Sequence, residues 1–283
     1  MPAGSLFLIK NRQLKTENQH IMKSVHTAVR EQFSQHADYY AQSSAHAKGD
    51  TLDVILDFAE PKGREQTLDV ATGTGFTAFA LAPKVAHVVA TDLTPEMVAK
   101  ASELAKEQAI ENITFSVAAA ESLPIATASL DLVTCRLAPH HFQDVPKFLS
   151  EVHRVLRTDG LFCLADSVSP ESEKLIAWQN RVETLRDNSH VYGYPPSQWD
   201  AMITEAGFSI ERTADVRNAQ MSFLWWVRPE NNPPEVVRAI RDAFAQLSAD
   251  EARKHYTVRP AGDDFYFSWP MYAVKARRKK LLE

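Results

Sequence analysis

The chain has 283 residues, of which 45 % are hydrophobic and 24 % charged, and these proportions are ordinary for a globular protein. The length fits one large domain, or one domain with additions. The formal net charge of −5 argues against a nucleic-acid binder that depends on phosphate contacts. No apolar run approaches the roughly 18 residues needed to span a bilayer, so the sequence predicts no membrane span.

The cysteines and the N-terminal residues indicate where the protein acts. Cys135 and Cys163 each lie in an apolar run typical of a strand, which predicts buried thiols in a reducing compartment and hence a cytoplasmic location. No cysteine and histidine cluster has metal-ligand spacing, so no metal is predicted. Residues 1–20 are polar and predicted to be a flexible extension. A targeting segment is the alternative, because the first 35 residues contain several Lys and Arg and few acids.

In chain order, the first helix is predicted from Ile21 to about Tyr40, with Val25, Val29 and Phe33 on one face. A second helix is expected near Thr51–Ala59. Strands and helices then alternate five times, which predicts an α/β fold with a doubly wound, mostly parallel sheet. The predicted strands are the start of Thr67–Gly75, Ala86–Asp92, Ile113–Val117, Leu130–Cys135 and Leu161–Ala165; the helices between them include Phe76–Ala82, Thr94–Gln108 and Val145–Leu156, the last ended by a positive φ at Gly160.

The remaining residues follow a different pattern. Segments 169–206 and 228–262 are predicted to be insertions that cover the substrate. Phe208 to about Val227, which contains Trp225 and Trp226, and Phe265–Val274 are predicted to be extended. We expect these two extended segments to form an antiparallel hairpin at the edge of the sheet. The two tryptophans either wall an apolar acceptor pocket or belong to a core or an interface.

The first strand ends in a turn suited to a nucleotide-like ligand. Gly73 and Gly75 allow close approach to the backbone because no Cβ intervenes. Asp69 lies inside the strand, where a buried carboxylate is costly unless it is paired. Asp92 ends the next strand and can accept two hydrogen bonds from a ribose diol.

The same turn also matches a dinucleotide pattern. Gly73–Ala78 fits Gly-x-Gly-x-x-Ala, so a nicotinamide-dependent oxidoreductase is an alternative function. An acid four residues before the first glycine is unusual in that pattern. Asp69 would also be an unfavourable neighbour for a pyrophosphate anion at the turn.

Four motifs in order resemble those of class I S-adenosylmethionine-dependent methyltransferases: Leu68–Gly75, Thr91–Met97, Ala120–Pro124 and Ser129–Arg136. The ubiquinone/menaquinone-biosynthesis-like branch, the type 11 methyltransferase domain, is the most similar, and Val152–Gly160 resembles its helix before the fifth strand. The resemblance covers roughly residues 60–170. It implies a seven-stranded Rossmann-like methyltransferase fold, a helical N-terminal lid and S-adenosylmethionine as cofactor. Residues 21–283 would form a single domain, with N-terminal helices at 21–60 and a cofactor-binding core at 64–168.

Carried over residue by residue, the resemblance implies a set of cofactor contacts. Asp69 would orient the methionine end, Asp92 would hold the ribose hydroxyls, and Leu93 would pack on adenine. The full set is Asp69, Ala71, Gly73, Gly75, Asp92, Leu93, Met97, Ala120, Glu121, Arg136 and Leu137. Two positions depart from the family: Ala71 replaces a common glycine, and Ala119 replaces an acid that often reads the adenine amino group.

Methyl transfer from a sulfonium needs orientation and exclusion of water more than side-chain chemistry. A general base is needed only if the acceptor must lose a proton. The catalytic candidates are His141, His190 and Tyr40, with Asp187 and Tyr39 also considered, and for each of them a hydrogen-bonded or packing role is the alternative. The acceptor is predicted to be a small, partly apolar molecule, and a homodimer is possible. A cofactor-binding protein without methyl transfer is the remaining alternative.

Overall fold

The computed structural model describes residues 25–41, 49–217, 219–228 and 232–280, so the predicted extension at 1–20 lies outside the described residues. A seven-stranded sheet runs through the molecule in the order β3-β2-β1-β4-β5-β10-β6. Its strands are β1 (Gln66–Val70), β2 (His87–Asp92), β3 (Ile113–Val117), β4 (Leu130–Arg136), β5 (Leu156–Ser167), β6 (Phe208–Arg217) and β10 (Pro270–Arg278). Strands β1 to β5 pair in parallel, and β10 is antiparallel to both β5 and β6. The predicted doubly wound sheet with an antiparallel pair at one edge is confirmed.

Ten helices of the described chain surround the sheets. They are α1 (residues 25–41), α2 (Asp50–Ala59), α3 (Phe76–Leu81), α4 (Pro95–Glu107), α5 (Val145–Val155), α6 (Glu173–Arg186), α7 (Pro196–Glu205), α8 (Phe223–Val227), α9 (Pro234–Ala245) and α10 (Ala249–Tyr256). None of them is long and apolar enough to cross a membrane.

The strands are apolar on both faces because helices cover both sides of the sheet. Leu132 belongs to a hydrophobic cluster that includes α2 and α3, whereas its neighbour Val133 belongs to a second cluster built on α5 and α7. Successive side chains of a strand point to opposite faces. The two clusters therefore lie on opposite faces of the sheet in a three-layer α/β/α arrangement, which explains why the central residues of β1, β4 and β5 are buried in succession.

The junction between α5 and β5 corrects one prediction. The helix ends at Val155, and β5 begins at once with Leu156. The positive φ of 63° falls on Asp159, not on Gly160. Glycine is needed at position 160 for space instead: a Cβ there would lie 2.8 Å from the carbonyl oxygen of Arg157.

The segment that contains Trp225 and Trp226 is also different from its prediction. Both tryptophans lie in the short helix α8, because Ser222 at its N-cap accepts a hydrogen bond from the Trp225 backbone N–H. The predicted strand Phe265–Val274 is divided between β9 and β10. Strands β7 (Met221–Ser222), β8 (Arg259–Ala261) and β9 (Asp264–Phe267) form a separate three-stranded sheet in the order β7-β9-β8.

The connection between β6 and β10 is thus a small folded unit with an aromatic interior. Trp226 packs against Phe244, Phe267 and Trp269, with ring centroids 5.2–6.4 Å apart. Such ring pairs stabilise the fold beyond the contribution of the apolar area that they bury. The Trp226 ring belongs to this core and not to the wall of a ligand cavity.

Candidate active site

A cavity of about 990 Å³, including its mouth, lies at the carboxyl ends of β1, β2 and β4 beneath α1. Twelve of the residues predicted to form the site line this cavity: Tyr40, Asp69, Ala71, Gly73, Asp92, Leu93, Met97, Ala120, Glu121, Arg136, Leu137 and His141. The lining also includes residues outside the predicted set of site residues: His26, Val29, Phe33, Thr72, Thr74, Phe76, Thr77, Ala118, Ala138 and Phe142. Gly75 and His190 are not among the lining residues.

Asp92 connects the glycine turn to the start of α4. Its Oδ2 accepts a hydrogen bond from the backbone N–H of Gly73 at 2.8 Å, and its Oδ1 accepts one from the N–H of Thr94 at 2.9 Å. Burial raises the pKa of Asp92, and these donors oppose that effect. Each carboxylate oxygen has a second lone pair, so the side chain can still accept hydrogen bonds from a ligand. Thr94 occupies the N-cap of α4 as predicted, but Asp92 caps the backbone there.

Asp69 lies deepest in the site and is only 1 % exposed. Its Oδ2 accepts a hydrogen bond from Thr72 Oγ1 at 2.6 Å, and its Oδ1 accepts one from Thr134 Oγ1 at 2.7 Å. Burial raises the pKa of Asp69 to about 6, despite these hydrogen bonds and the nearby positive charge of Arg136. The cavity therefore contains a carboxyl group that changes charge close to physiological pH.

The turn after β1 has a left-handed backbone at three positions. Ala71 has a φ of 53°, Gly73 of 56° and Gly75 of 96°. A Cβ on Gly73 would meet no atom within 4 Å, so this glycine leaves open space in the cavity for a ligand. A Cβ on Gly75 would lie 2.5 Å from the Phe79 ring. Gly75 is therefore required for packing of α3, whereas Gly73 faces the ligand space.

These two glycines give a matched pair of variants. Gly73→Ala is expected to leave the protein folded, at a cost of about 1–2 kcal/mol for the left-handed backbone, and to weaken S-adenosylmethionine binding at least tenfold because the methyl group occupies ligand space. Gly75→Ala is expected to lower the free energy of unfolding by about 3 kcal/mol or more, because strain and overpacking add. Urea denaturation and calorimetric titration separate the two effects.

Phe79→Leu in the Gly75→Ala background should restore part of the lost stability, because it removes the ring that the new methyl group meets. If Gly73→Ala and Gly75→Ala lost the same affinity and had the same stability, the different roles of the two glycines would be contradicted.

Helix α1 covers the cavity and is held by polar contacts. Arg30 Nε donates to the carbonyl oxygen of Leu93 at 3.2 Å, and Lys100 Nζ lies 2.9 Å from Asp38 Oδ1. His26 Nε2 lies 3.6 Å from Glu121 Oε2. Two signals in the sequence indicate this position of α1: the apolar face through Val29 and Phe33, and the resemblance, which implies a helical N-terminal lid. Nothing in the local sequence around His26 and Arg30 indicates their partners.

Arg136 closes the inner side of the cavity. Its Nε donates to Thr77 Oγ1 at 2.9 Å and its Nη1 to Thr51 Oγ1 at 3.3 Å. Burial lowers the pKa of Arg136, and the charge of Asp69 opposes that effect. This guanidinium therefore links β4 to α2 and α3 beneath the ligand space.

Three histidines lie in a row behind and beside the cavity. His141 lines it, and the edge-on contact of its ring with Phe33 has a centroid distance of 5.1 Å. Burial, together with the neighbouring His140, lowers the pKa of His141 to about 4, so its imidazole is neutral at pH 7. His140 is paired with Asp166, with 2.7 Å between Nδ1 and Oδ1. Burial opposes protonation of His140, but Asp166 outweighs it and raises the pKa.

His190 lies farther from the cavity. Its Nε2 is 2.9 Å from Asn180 Oδ1, and its ring centroid is 5.9 Å from that of His140. Burial lowers the pKa of His190 to about 2, so it is a neutral interior side chain. The polar surroundings that made it a candidate form a buried network, and the structure does not bring it into contact with the ligand space.

The two insertions have different relations to the cavity. Residues 169–206 supply the groups that contact His141 from behind, such as Ser189. The described residues of the second insertion, 228 and 232–262, contribute none of the side chains that line the cavity. That these segments cover the substrate stays a prediction. Among the residues that the structure describes, no three His, Cys, Asp or Glu side chains are grouped to hold a metal ion.

Fold and site together define the class of protein. A parallel sheet whose glycine turn and strand-end aspartate share one cavity binds a nucleotide-like cofactor at its carboxyl edge. Residues 68–164 match the family described as a methyltransferase domain. The chain is 36 % identical over 228 residues to the methyltransferase YcgJ of Bacillus subtilis, described as uncharacterized, covering 80 % of this chain and 88 % of that protein. It is 32 % identical over 204 residues to YafE of Escherichia coli, covering 72 % of this chain and 96 % of that protein.

Solved structures agree with these relatives. The crystal structure of YcgJ gives a TM-score of 0.75 at 31 % identity, over 82 % of this chain and 99 % of that chain. The crystal structure of a putative methyltransferase from Bacillus halodurans gives a TM-score of 0.77 at 31 % identity, over 81 % of this chain and 99 % of that chain. The chain therefore belongs to the class I S-adenosylmethionine-dependent methyltransferases, in the type 11 branch. Its cofactor is S-adenosylmethionine, and no comparison favours the nicotinamide alternative.

Proposed function

We propose that this methyltransferase acts on a small, partly apolar acceptor enclosed between the glycine turn and α1. The observation that carries the proposal is the lining of the cavity, where Val29, Phe33, Phe76 and Phe142 stand beside the polar groups of the turn. Helix α1 covers the cavity, and this cover supports a small acceptor rather than a segment of a macromolecule.

The cofactor would be held by the residues that the sequence predicted. Asp92 would accept hydrogen bonds from the ribose hydroxyls, Leu93 and Met97 would contact the adenine, and Asp69 would face the positively charged methionine end. The open space over Gly73 supports passage of the cofactor across the turn. When bound, S-adenosylmethionine supplies an activated methyl group on a sulfonium. The chain then has to orient the acceptor and exclude water.

His141 is the side chain we propose as proton acceptor for methyl acceptors that must lose a proton. It lines the cavity and its low pKa keeps it neutral at pH 7. Tyr40 also lines the cavity and packs against Phe33, with a centroid distance of 5.4 Å, which supports a role in shaping the acceptor pocket. His190, behind His140, would act only by packing.

A transfer assay with methyl-labelled S-adenosylmethionine tests the acceptor class. We expect label to enter small molecules of a cell extract, and not its protein or RNA. Phe33→Ala should raise KM for the acceptor about tenfold, because it removes an apolar side chain that lines the cavity. Cofactor affinity should change little. Asp250→Ala, which changes an exposed residue outside the cavity lining, is the control. Label confined to macromolecules would contradict the proposal.

Two further predictions stay open to measurement. A homodimer is supported by exposed apolar side chains on α8 and β9: Leu224, Trp225 and Tyr266. Light scattering would test it.

A cytoplasmic location is supported by Cys135 and Cys163, which are both free and buried.

A further inference from the structure

His141 is held from behind by a short loop that follows α6. Its Nδ1 lies 3.0 Å from the carbonyl oxygen of Ser189 and 3.1 Å from the hydroxyl oxygen of the same residue. The Ser189 hydroxyl in turn lies 2.6 Å from Asp187 Oδ1, and the Ser189 backbone N–H donates to that same oxygen at 2.8 Å. Asp187 and Ser189 are 4 % and 2 % exposed, so water does not compete for these bonds.

With His141 neutral, only one arrangement of protons satisfies all these contacts. A carbonyl oxygen can only accept, so Nδ1 of His141 must carry a proton and donate it to Ser189. A carboxylate can also only accept, so the Ser189 hydroxyl donates to Asp187 and presents its lone pairs toward His141. Burial opposes ionisation of Asp187, but His141, Ser189 and Arg186 outweigh it and hold its pKa below the usual value. The neutral His141 ring then has its lone pair on Nε2.

We infer that Asp187 and Ser189 are positioning residues that hold His141 with Nε2 as a hydrogen-bond acceptor, and that the methyl acceptor is a molecule with an O–H or N–H group. This inference rests on the proposed function, in which His141 receives a proton from the acceptor. Nδ1 of His141 donates to the carbonyl oxygen of Ser189, so Nε2 is the nitrogen that can accept a hydrogen bond. An acceptor group without a proton would gain nothing from such a nitrogen.

The proton balance is simple. As the acceptor oxygen or nitrogen forms its bond to the methyl carbon, the carbon–sulfur bond breaks and its electron pair stays on sulfur. The acceptor's proton moves to Nε2 of His141, and the imidazolium so formed donates from Nδ1 to Ser189. Asp187, one hydroxyl farther away, stabilises that positive charge. The proton then leaves to solvent when the products do.

The tautomer of His141 can be read without any acceptor. The protein, labelled with ¹⁵N-histidine, is examined by long-range proton–nitrogen NMR at pH 7, free and with S-adenosylhomocysteine, and His141 is assigned from a His141→Gln sample. We expect a neutral ring protonated on Nδ1 in the wild type. Asp187→Ala, which removes the acceptor of both Ser189 donors, should give averaged nitrogen shifts typical of exchanging tautomers.

Asp187→Asn should restore the single tautomer, because the amide oxygen can accept the same two hydrogen bonds. Ser197→Ala is the matched control: its hydroxyl bonds to Glu171 and should leave His141 unchanged. A wild-type ring protonated on Nε2, or the same spectrum in Asp187→Ala as in the wild type, would overturn the inference.

Kinetics test the substrate class. With an O–H or N–H acceptor found in the transfer assay, kcat should fall tenfold or more in Asp187→Ala at nearly constant KM, and recover partly in Asp187→Asn. This loss is a fraction of the roughly 10²–10⁴ that a general base contributes. A protein that turns over a tertiary amine or a thioether as well as any protic acceptor would refute the inferred class. Failure to bind S-adenosylmethionine by calorimetry would instead refute the proposed function, whatever the tautomer.

Discussion

Asp92→Ala is expected to weaken S-adenosylmethionine binding by about 100-fold or more. Two hydrogen bonds to a charged acceptor contribute about 3 kcal/mol together, and each 1.4 kcal/mol is a tenfold change in Kd. The variant also removes the acceptor of the Gly73 and Thr94 backbone donors, so the glycine turn loses its connection to α4. Isothermal titration calorimetry with S-adenosylmethionine and S-adenosylhomocysteine measures the loss.

Two control variants separate binding from folding. Asp92→Asn keeps one acceptor oxygen and should lose less affinity than Asp92→Ala. Asp250→Ala, an exposed residue paired only with Arg253 among the described ion pairs, should bind as the wild type does. Urea denaturation of each variant reports its stability. A well-folded Asp92→Ala protein with unchanged affinity would show that the ribose is held elsewhere.

Cofactor affinity is expected to fall with decreasing pH below about 6, the pKa of Asp69. The sulfonium and ammonium of S-adenosylmethionine favour the carboxylate form, so binding must displace the proton wherever Asp69 is protonated. The expected limit is a tenfold loss of affinity for each pH unit below the pKa. Calorimetry between pH 5 and 8, in buffers of different ionisation enthalpy, should detect proton release near pH 6.

S-adenosylhomocysteine, which lacks the sulfonium charge, is the matched ligand and should show a shallower dependence. Affinity for S-adenosylmethionine that stays constant from pH 5 to 8 would contradict the role of Asp69.

The same carboxyl group destabilises the protein at neutral pH. Its folded-state pKa of about 6 is above the ordinary value of 3.8 for an aspartic acid, so the folded state retains the proton more strongly. Stability from Asp69 is therefore greatest at low pH, declines between about pH 4 and 6, and is lowest above pH 6. The difference is about 3 kcal/mol at 1.36 kcal/mol per pKa unit.

Asp69→Asn removes the penalty of about 3 kcal/mol at pH 7.5 but disrupts one hydrogen bond from a threonine hydroxyl, which costs about 1 kcal/mol. The free energy of unfolding at pH 7.5 should therefore rise by about 2 kcal/mol. The gain should be smaller at pH 5, and cofactor affinity should fall at the same time. Denaturation at both pH values tests this, with Thr134→Val as a companion that removes one donor and keeps the charge. Asp69→Asn less stable than the wild type at pH 7.5 would contradict it.

The parts of the site that could be predicted depend on short-range chain geometry. Asp69, Gly73 and Asp92 lie at the ends of two adjacent parallel strands, and strand ends of a doubly wound sheet meet at one edge. The five strands were readable because apolar runs bounded by turn residues are typical of a buried parallel sheet. The order of motifs then predicted the cofactor.

The parts that could not be predicted depend on contacts between distant segments. Arg30 reaches Leu93, and Ser189 reaches His141, across distances in the chain that no periodicity reports. The polar residues around His190 indicate a ligand site from sequence alone, yet Asp187 and Ser189 bond to each other in the interior. The sequence predicts an extended segment at Trp226, whereas a short helix capped by Ser222 forms there.

The position of β10 has a consequence for how the protein assembles. This last strand lies between β5 and β6, and β6 pairs with no other described strand of the sheet. β6 therefore joins the sheet only through β10, which follows the whole aromatic unit in the chain. Such pairing between distant segments is slow to form, and until it is complete β5 presents an unprotected edge on which another chain can add. Docking of β10 is thus the step at which folding competes with aggregation.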